Sequence, residues 1–263
     1  MQWRFLTAHP LKETICISSR YEAPQTLMKT TQLLHTGLYL TGFMLTGIAQ
    51  VFAEPTDKKE NSWVDLLEGD SLAQWRNGSV NLQKKVLEIG PQWSVKDGVL
   101  LLDKDKKGRG GQIVTKKNYF NFELKFEFKI SEGGNSGVKY RTKGSLGMEY
   151  QILDDQKAKD NKNPKNSLAS LYQLVAAPAD KKAFAPGTEW NKGRIVANGN
   201  TIEHWLNGQK VVSIEVDSAD WKERFAVSKY KKYKDFARNP GPILLQDHGD
   251  TVSYRKIMVR EFK

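Results

Sequence analysis

One cysteine, Cys16, is all that the 263-residue chain contains. An intramolecular disulfide and a multi-cysteine zinc site are therefore excluded. Histidine is nearly as scarce, with His9, His35, His204 and His248 the full set. The apolar run Leu38 to Val51, LYLTGFMLTGIAQV, is uncharged but covers only 14 residues. A membrane-spanning helix needs about 20. A Gly-x-Ser-x-Gly nucleophile signature is absent, which argues against the serine hydrolases that carry it. Long helical periodicity is scarce too. What is present suits a folded chain: 39% hydrophobic and 27% charged residues leave enough apolar material for a core. The length fits one β-rich domain or two small ones. A formal charge of +11 makes an anionic partner conceivable and says nothing about the fold.

The apolar run has its own reading. Lys29 precedes it, and Val51-Phe52-Ala53 puts small side chains at the −3 and −1 positions of a cleavage site. The pattern predicts a secretory signal peptide cut after Ala53. Its charged start is Met28-Lys29, so Met28 is the expected initiator, with residues 1–27 as an upstream extension. An uncleaved anchor fits less well, because the run is short. A lipoprotein anchor is excluded, since no cysteine lies near the cut. The expected organisation is 1–53 extension and signal peptide, 54–61 linker, and 62–263 one domain. The destination is exported, periplasmic or extracellular, with no membrane attachment after cleavage. The mature chain then lacks cysteine, keeps His204 and His248, and must rely on a core that about 200 residues can supply.

That domain reads as strands. Phe122, Leu124, Phe126, Phe128 and Ile130 alternate with Glu123, Lys125, Glu127 and Lys129, the period-two signature of a half-buried strand. Val138 and Tyr140 alternate with Lys139 and Arg141. Glu149 and Gln151 share one strand face, as do Ile202, His204 and Leu206. Asn207-Gly208 turns the chain before Val212, Ile214 and Val216. Asp97-Gly98 and Asn198-Gly199 are further turn signals. Trp221 to Phe236 has the makings of a short helix. No internal repeat is present. The pattern predicts an all-β fold: two packed antiparallel sheets, a β-sandwich or jelly roll.

Basic residues gather at Lys104 to Arg109, Lys157 to Lys165, and Lys229 to Lys234, the last interleaved with Tyr230 and Tyr233. Basic groups with aromatic stacking can bind nucleic acid. These clusters are dispersed, mixed with acids and on an exported chain, so solvated loops are expected and nucleic acid is not. An exported sandwich points instead to carbohydrate. Polar side chains in mid-strand are costly to bury without partners, and Arg141, Glu149, Gln151, His204, Gln246 and His248 are of this kind. Gln246 and His248 lie two apart and face one way if the segment is a strand. Their convergence on one sheet face would make a pocket. Alternatives stand beside each. Glu149 pairs with Arg141 on a solvated face, or works in a site. His204 is a hydrogen-bonded core residue, or an acid. Trp190 and Trp205 are core packing, or sugar platforms. Tyr172 packs, or donates to ligand. Asp154-Asp155 starts a loop, or is a weak calcium signal.

Retaining glucanases of the laminarinase class, themselves jelly rolls, carry E-x-D-x-x-E on a strand. The corresponding stretch is Glu149-Tyr150-Gln151-Ile152-Leu153-Asp154, where only the first Glu of that pattern is matched. The two alternating carboxylates of double displacement are not supplied.

Ordered blocks along residues 62 to 263 carry a family resemblance. They run from Trp63-Val-Asp65-Leu-Leu67 and Trp93-Ser-Val-Lys-Asp97-Gly98-Val-Leu100 to Asn118-Tyr119-Phe-Asn-Phe122-Glu123-Leu124. Gly134-Asn135-Ser136-Gly137-Val-Lys-Tyr-Arg141 and Glu149-Tyr-Gln151-Ile-Leu-Asp154 follow. Then come Leu171-Tyr172, Glu189-Trp190-Asn191, His204-Trp205-Leu206-Asn207-Gly208, Ser228-Lys229-Tyr230 and Leu245-Gln246-Asp247-His248-Gly249. In this order they resemble the 3-keto-disaccharide hydrolase domain family, formerly a domain of unknown function in exported bacterial proteins. Two departures are Arg255-Lys256-Ile257, where the family often has Arg-Asn-Ile, and Tyr230, where Phe is usual.

The resemblance implies a concanavalin A-like jelly roll that cleaves glycosides already oxidised to a ketone at C3 of one sugar. Such a ketone acidifies the C2 proton. A base removes it, the C1 group leaves, and water adds afterwards, so one base suffices and no carboxylate nucleophile is needed. The implied base is His248 or Glu149. Arg141 and Lys229 are the implied oxyanion stabilisers and His204 the implied acid. Asn135, Gln151, Gln246, Tyr172 and Asp154 are the implied substrate contacts. No cofactor is required by the sequence. A divalent metal on O2 and O3 would serve the same electrostatic end, but nothing in the sequence indicates one. The expected partner is an oxidised carbohydrate; oligomeric state is left open. Two other classes are a non-catalytic carbohydrate-binding sandwich and an exported structural or adhesive domain. Convergence of the polar residues on one pocket separates the first two from the third.

Overall fold

Phe122–Ile130 illustrates how the chain builds its core. Phe122, Leu124, Phe126, Phe128 and Ile130 are buried, as the alternation predicts, while Lys125 is exposed. Each of these large side chains contributes roughly 1.5–3 kcal/mol by leaving water. The acids between them are buried as well. Glu123 is held by Arg194 and Arg260, and Glu127 by Arg255 and Lys256. Guanidinium stems from neighbouring strands cover these carboxylates on the outer face.

The computed structural model describes residues 62–79, 88–159, 162–183 and 189–263. The expected signal peptide at 1–53 and linker at 54–61 lie outside the described residues. Those described belong to the unit Pro55–Lys263. In chain order the strands are β1 (Val64–Asp65), β2 (Trp75–Asn77), β3 (Trp93–Lys96), β4 (Val99–Leu102), β5 (Ile113–Tyr119), β6 (Phe122–Ile130) and β7 (Asn135–Lys143). They continue as β8 (Leu146–Leu153), β9 (Asn191–Asn198), β10 (Thr201–Leu206), β11 (Gln209–Glu215), β12 (Gly241–Leu245) and β13 (Val252–Glu261). Among the described residues one helix of more than a single turn, α1 (Ala219–Val227), precedes β12.

Two antiparallel sheets form. The larger runs β11-β10-β9-β6-β13-β4-β3, with β1 on β13; the smaller runs β2-β5-β12-β7-β8. Their inner faces enclose one core that includes Trp75, Phe122, Tyr140, Tyr150, Ile195, Ile202 and Tyr254. This is the jelly-roll β-sandwich expected from the alternation. Asn207 and Gly208 both take positive φ between β10 and β11 (48° and 86°), as do Asp97 and Gly98 between β3 and β4 (51° and 72°). Both dipeptides thus make the tight hairpins their chemistry favours.

The helix starts earlier than Trp221. Ser218 caps it by accepting from the Trp221 amide, and Trp221 turns inward. It ends at Val227, and 228–237 continues as turns in which Tyr230 stacks on Phe236 at 4.2 Å. Among the described residues no helix is long and apolar enough to cross a membrane.

Candidate active site

The site lies on the outer face of the five-stranded sheet, and the register of two strands sets it up. β7 and β8 pair so that Lys139 faces Glu149 and Gly137 faces Gln151. Glu149 and Gln151 lie two apart and project the same way. Gly137 is what makes room: a Cβ there would sit 2.4 Å from Glu149 Oε1. A side chain at 137 would push the carboxylate aside.

A third segment leaves β12 beside them. The Gln246 amide donates to Gly137 O at 2.9 Å, and Ser136 Oγ donates to Gln246 O at 2.8 Å. The sheet pairing thus extends one residue past the strand. Gln246 to His248 is not itself a strand, contrary to the condition set from sequence, yet both side chains reach the site. Asp247 between them turns the other way, pairing with Lys104 at 3.2 Å and accepting from the Gly111 and Gly249 amides. That anchor fixes the positions on either side. The turns after α1 add Lys229, whose Nζ lies 4.2 Å from the Tyr172 ring centroid.

Together Asn135, Lys139, Glu149, Gln151, Tyr172, Lys229, Gln246 and His248 line a pocket of about 140 Å³. Glu149 is its buried charge, 3% exposed, with Oε2 3.5 Å from Lys139 Nζ. Burial raises its proton affinity above the usual carboxylate range, against the pull of Lys139, Lys229 and His248. Partial burial depresses Lys229, which Glu149 opposes. Gln151 Nε2 donates to Asn135 Oδ1 at 3.0 Å, orienting both amides. Gln246 Oε1 is buried and has no hydrogen-bond partner among the described residues. An acceptor left so costs about 1–3 kcal/mol until a donor arrives.

Three expected site residues lie elsewhere. His204 is wholly buried between the sheets. Tyr140 Oη donates to its Nε2 at 2.8 Å, and its Nδ1 donates to Ala169 O at 3.0 Å. Burial drops its pKa to about 4, so it is a neutral core histidine and no acid for the pocket. Arg141 takes φ of 49° at the β7–β8 irregularity and leaves the Lys139 face. Its guanidinium donates to the carbonyls of Phe120, Gly199 and Ala237. The partner of Glu149 is therefore Lys139 rather than Arg141. Asp154 accepts from the Gly133, Gln156 and Lys157 amides, capping the turns that flank β7 and β8 instead of touching the pocket. Trp190 and Trp205 lie on the larger sheet, under Lys129 and Arg255 and under Arg194 and Lys210 respectively.

Lys139 was missed by sequence reasoning. It looked like an ordinary outward lysine, and only its cross-strand pairing with Glu149 marks it. Among the described residues no three of His, Cys, Asp or Glu gather as a metal cage. In the pocket the carboxylate and imidazole are joined by two lysines, a donor set that does not fit a divalent cation.

Chemically, the pocket pairs a carboxylate of raised basicity with two ammonium groups and an imidazole, inside a ring of amides. It has one carboxylate, so it cannot supply the acid–nucleophile pair of ordinary retaining hydrolysis. Comparisons agree with the architecture. A curated 3-keto-disaccharide hydrolase from Bacteroides thetaiotaomicron is 28% identical over 236 residues, covering 76% of this chain and 78% of that protein. Two crystal structures from Parabacteroides distasonis, both assigned as glycosyl hydrolases, superpose with TM-scores of 0.65 and 0.58 at 27% and 28% identity. They cover 76% and 77% of this chain and 94% and 100% of their own. Residues 62–260, the whole sandwich, match the 3-keto-alpha-glucoside-1,2-lyase-like domain, and the chain belongs to that family.

Proposed function

We propose that this protein is an exported enzyme that cleaves the glycosidic bond of 3-keto-glucosides or 3-keto-disaccharides by elimination. The observation that carries the reading is Glu149, a buried carboxylate of raised proton affinity, facing Lys139 and Lys229 in one pocket without a second carboxylate. The name of the Bacteroides thetaiotaomicron relative and the family description support the substrate class.

The steps follow from the groups present. Glu149 takes the proton from C2, and the electron pair moves toward the C3 carbonyl, giving an enolate. Lys139 and Lys229 stabilise the charge on O3. The enolate then re-forms the ketone, the C1–O bond breaks, and a C1=C2 double bond results. His248, at the exposed rim, gives a proton to the departing oxygen, the role that His204 cannot fill. Water adds across the double bond to release the 3-keto sugar. Asn135, Gln151 and Gln246 hold hydroxyls, and Tyr172 covers one side.

The test is turnover of a panel of 3-keto-disaccharides beside their unoxidised parents, with Glu149→Gln and His248→Ala variants. The expected result is product from the ketones alone and loss in both variants. Wild-type rates in both variants overturn the roles. Saturable binding without product from any substrate assigns a carbohydrate-binding module instead. Export rests on the pattern ending at Ala53; a mature N terminus at Glu54, read by mass spectrometry, is its check.

A further inference from the structure

A second cleft lies along the same face. β8 presents Glu149 and Gln151 to the pocket, and Gly147, two residues back from Glu149, projects the same way. Gly147 lines a cleft of about 330 Å³ together with Arg141, Lys143, Tyr233, Lys232 and Lys234. Two strand residues span about 7 Å (roughly 3.4 Å each), a spacing suited to the ring next to the oxidised one. The loop 228–237 serves both places, Lys229 in the first and residues 232–237 in the second.

The cleft is cationic by construction. Arg141 is 4% exposed, and its guanidinium meets backbone carbonyls and, at 3.8 Å, the Phe120 ring, but no carboxylate. Carbonyls satisfy its N–H groups without cancelling its charge. Burial brings its pKa down to about 10, so it stays protonated at neutral pH. Lys143, Lys232 and Lys234 make no ion pair among the described residues. One carboxylate, Asp235, lines the same cleft. Tyr233 is 39% exposed there, with Lys232 Nζ 5.2 Å from its ring centroid, so an aromatic ring and an ammonium stand side by side in the cleft.

We infer that this cleft is the subsite for the leaving group, and that it takes a ring bearing an acidic substituent, carboxylate, sulfate or phosphate. The inference rests on the elimination reading of the neighbouring pocket. The ring stacks on Tyr233, and its anion meets Lys232, Lys234 and the field of Arg141. The oxidised sugar itself stays in the smaller pocket. Specificity for the leaving group is thus set by charge outside the reacting centre.

The test uses the mature chain and pairs of 3-keto-glucosides that differ only in the leaving group: phenyl against 4-carboxyphenyl, and glucose against glucuronate. The expected ratio of kcat/KM, acidic over neutral, is about three to ten at low salt, the size that a few partly exposed ion pairs give. Raising ionic strength brings it toward one, and so does a Lys232→Ala/Lys234→Ala double variant. Calorimetric titration with glucuronate and with glucose runs beside it. Salt-sensitive binding of glucuronate that the double variant loses supports the cleft even if no ketone is turned over, so failure of the reaction reading stays separate. Equal rates for both members of each pair, or glucuronate binding unaffected by the double variant, overturn the subsite.

Discussion

Glu149 Oε2 lies 3.5 Å from Lys139 Nζ, directly across the β7–β8 ladder. The carboxylate is nonetheless more basic than usual, because burial outweighs the ammonium groups around it. A base that must take a proton from carbon gains from that balance. Glu149→Gln keeps the shape and removes the base. kcat should fall by roughly 10²–10⁴, with little change in KM, measured on a 3-keto-disaccharide at neutral pH.

The same group sets a pH dependence of stability. Its folded pKa is above its unfolded value, so the folded chain keeps the Glu149 proton to higher pH. Between the ordinary value near 4.3 and the raised one, the folded state binds more protons, and stability falls as pH rises. Glu149→Gln abolishes this slope. Denaturant midpoints of wild type and variant should converge at pH 4 and separate toward pH 7, with the variant the more stable. A variant less stable than wild type at pH 7 contradicts the sign.

His204 gives the opposite slope. Its folded pKa of about 4 lies below the ordinary 6.5, so the unfolded chain gains a proton first as pH drops. The stability it contributes is present in full above pH 6.5 and is lost as pH falls to about 4. The amount is roughly 3 kcal/mol at about 1.36 kcal/mol per unit. His204→Leu removes that slope and leaves Tyr140 Oη and Ala169 O without their partner. It should cost about 2–4 kcal/mol in equilibrium unfolding at pH 7, while the folded variant keeps kcat within about twofold.

Gln246 tests recognition apart from chemistry. Its buried Oε1 has no partner among the described residues, so a substrate hydroxyl is the natural donor. Gln246→Leu removes the acceptor. kcat/KM should drop by about 10- to 100-fold, in line with a lost hydrogen bond of about 1–3 kcal/mol. Unfolding stability should hold or rise, since an unsatisfied group is gone. A parallel loss of stability and activity would mean that Gln246 is structural.

Period-two alternation made the sandwich legible. Phe122 to Ile130 could be read directly, and so could the shared face of Glu149 and Gln151. Side-chain direction within a strand is a local property, and sequence carries it. Which strand lies opposite is not local. Lys139 looked like any outward lysine because its importance comes from register with Glu149. Arg141 was grouped with Lys139 by alternation, and a positive φ at the irregularity broke that alternation. His204 shows the remaining ambiguity. A polar residue between Ile202 and Leu206 must find partners, but the sequence does not say whether those are a substrate or Tyr140 and Ala169.

Gly137 is where the backbone itself enters the mechanism. It sits on β7 opposite Gln151, and the space a side chain would need is occupied by Glu149 Oε1, 2.4 Å from the would-be Cβ. Gly137→Ala cannot be absorbed by moving backbone, because the Gly137 carbonyl holds the Gln246 amide. The flexible end of Glu149 must swing instead, away from Lys139. Circular dichroism and the denaturant slope should stay near wild type, since the strand tolerates alanine. kcat should fall at least tenfold, as small misplacement of a reacting group does. The rate should not recover at higher substrate, because the defect lies in the position of the base rather than in binding. Recovery at saturating substrate would show that Gly137 serves binding, with Glu149 still in place.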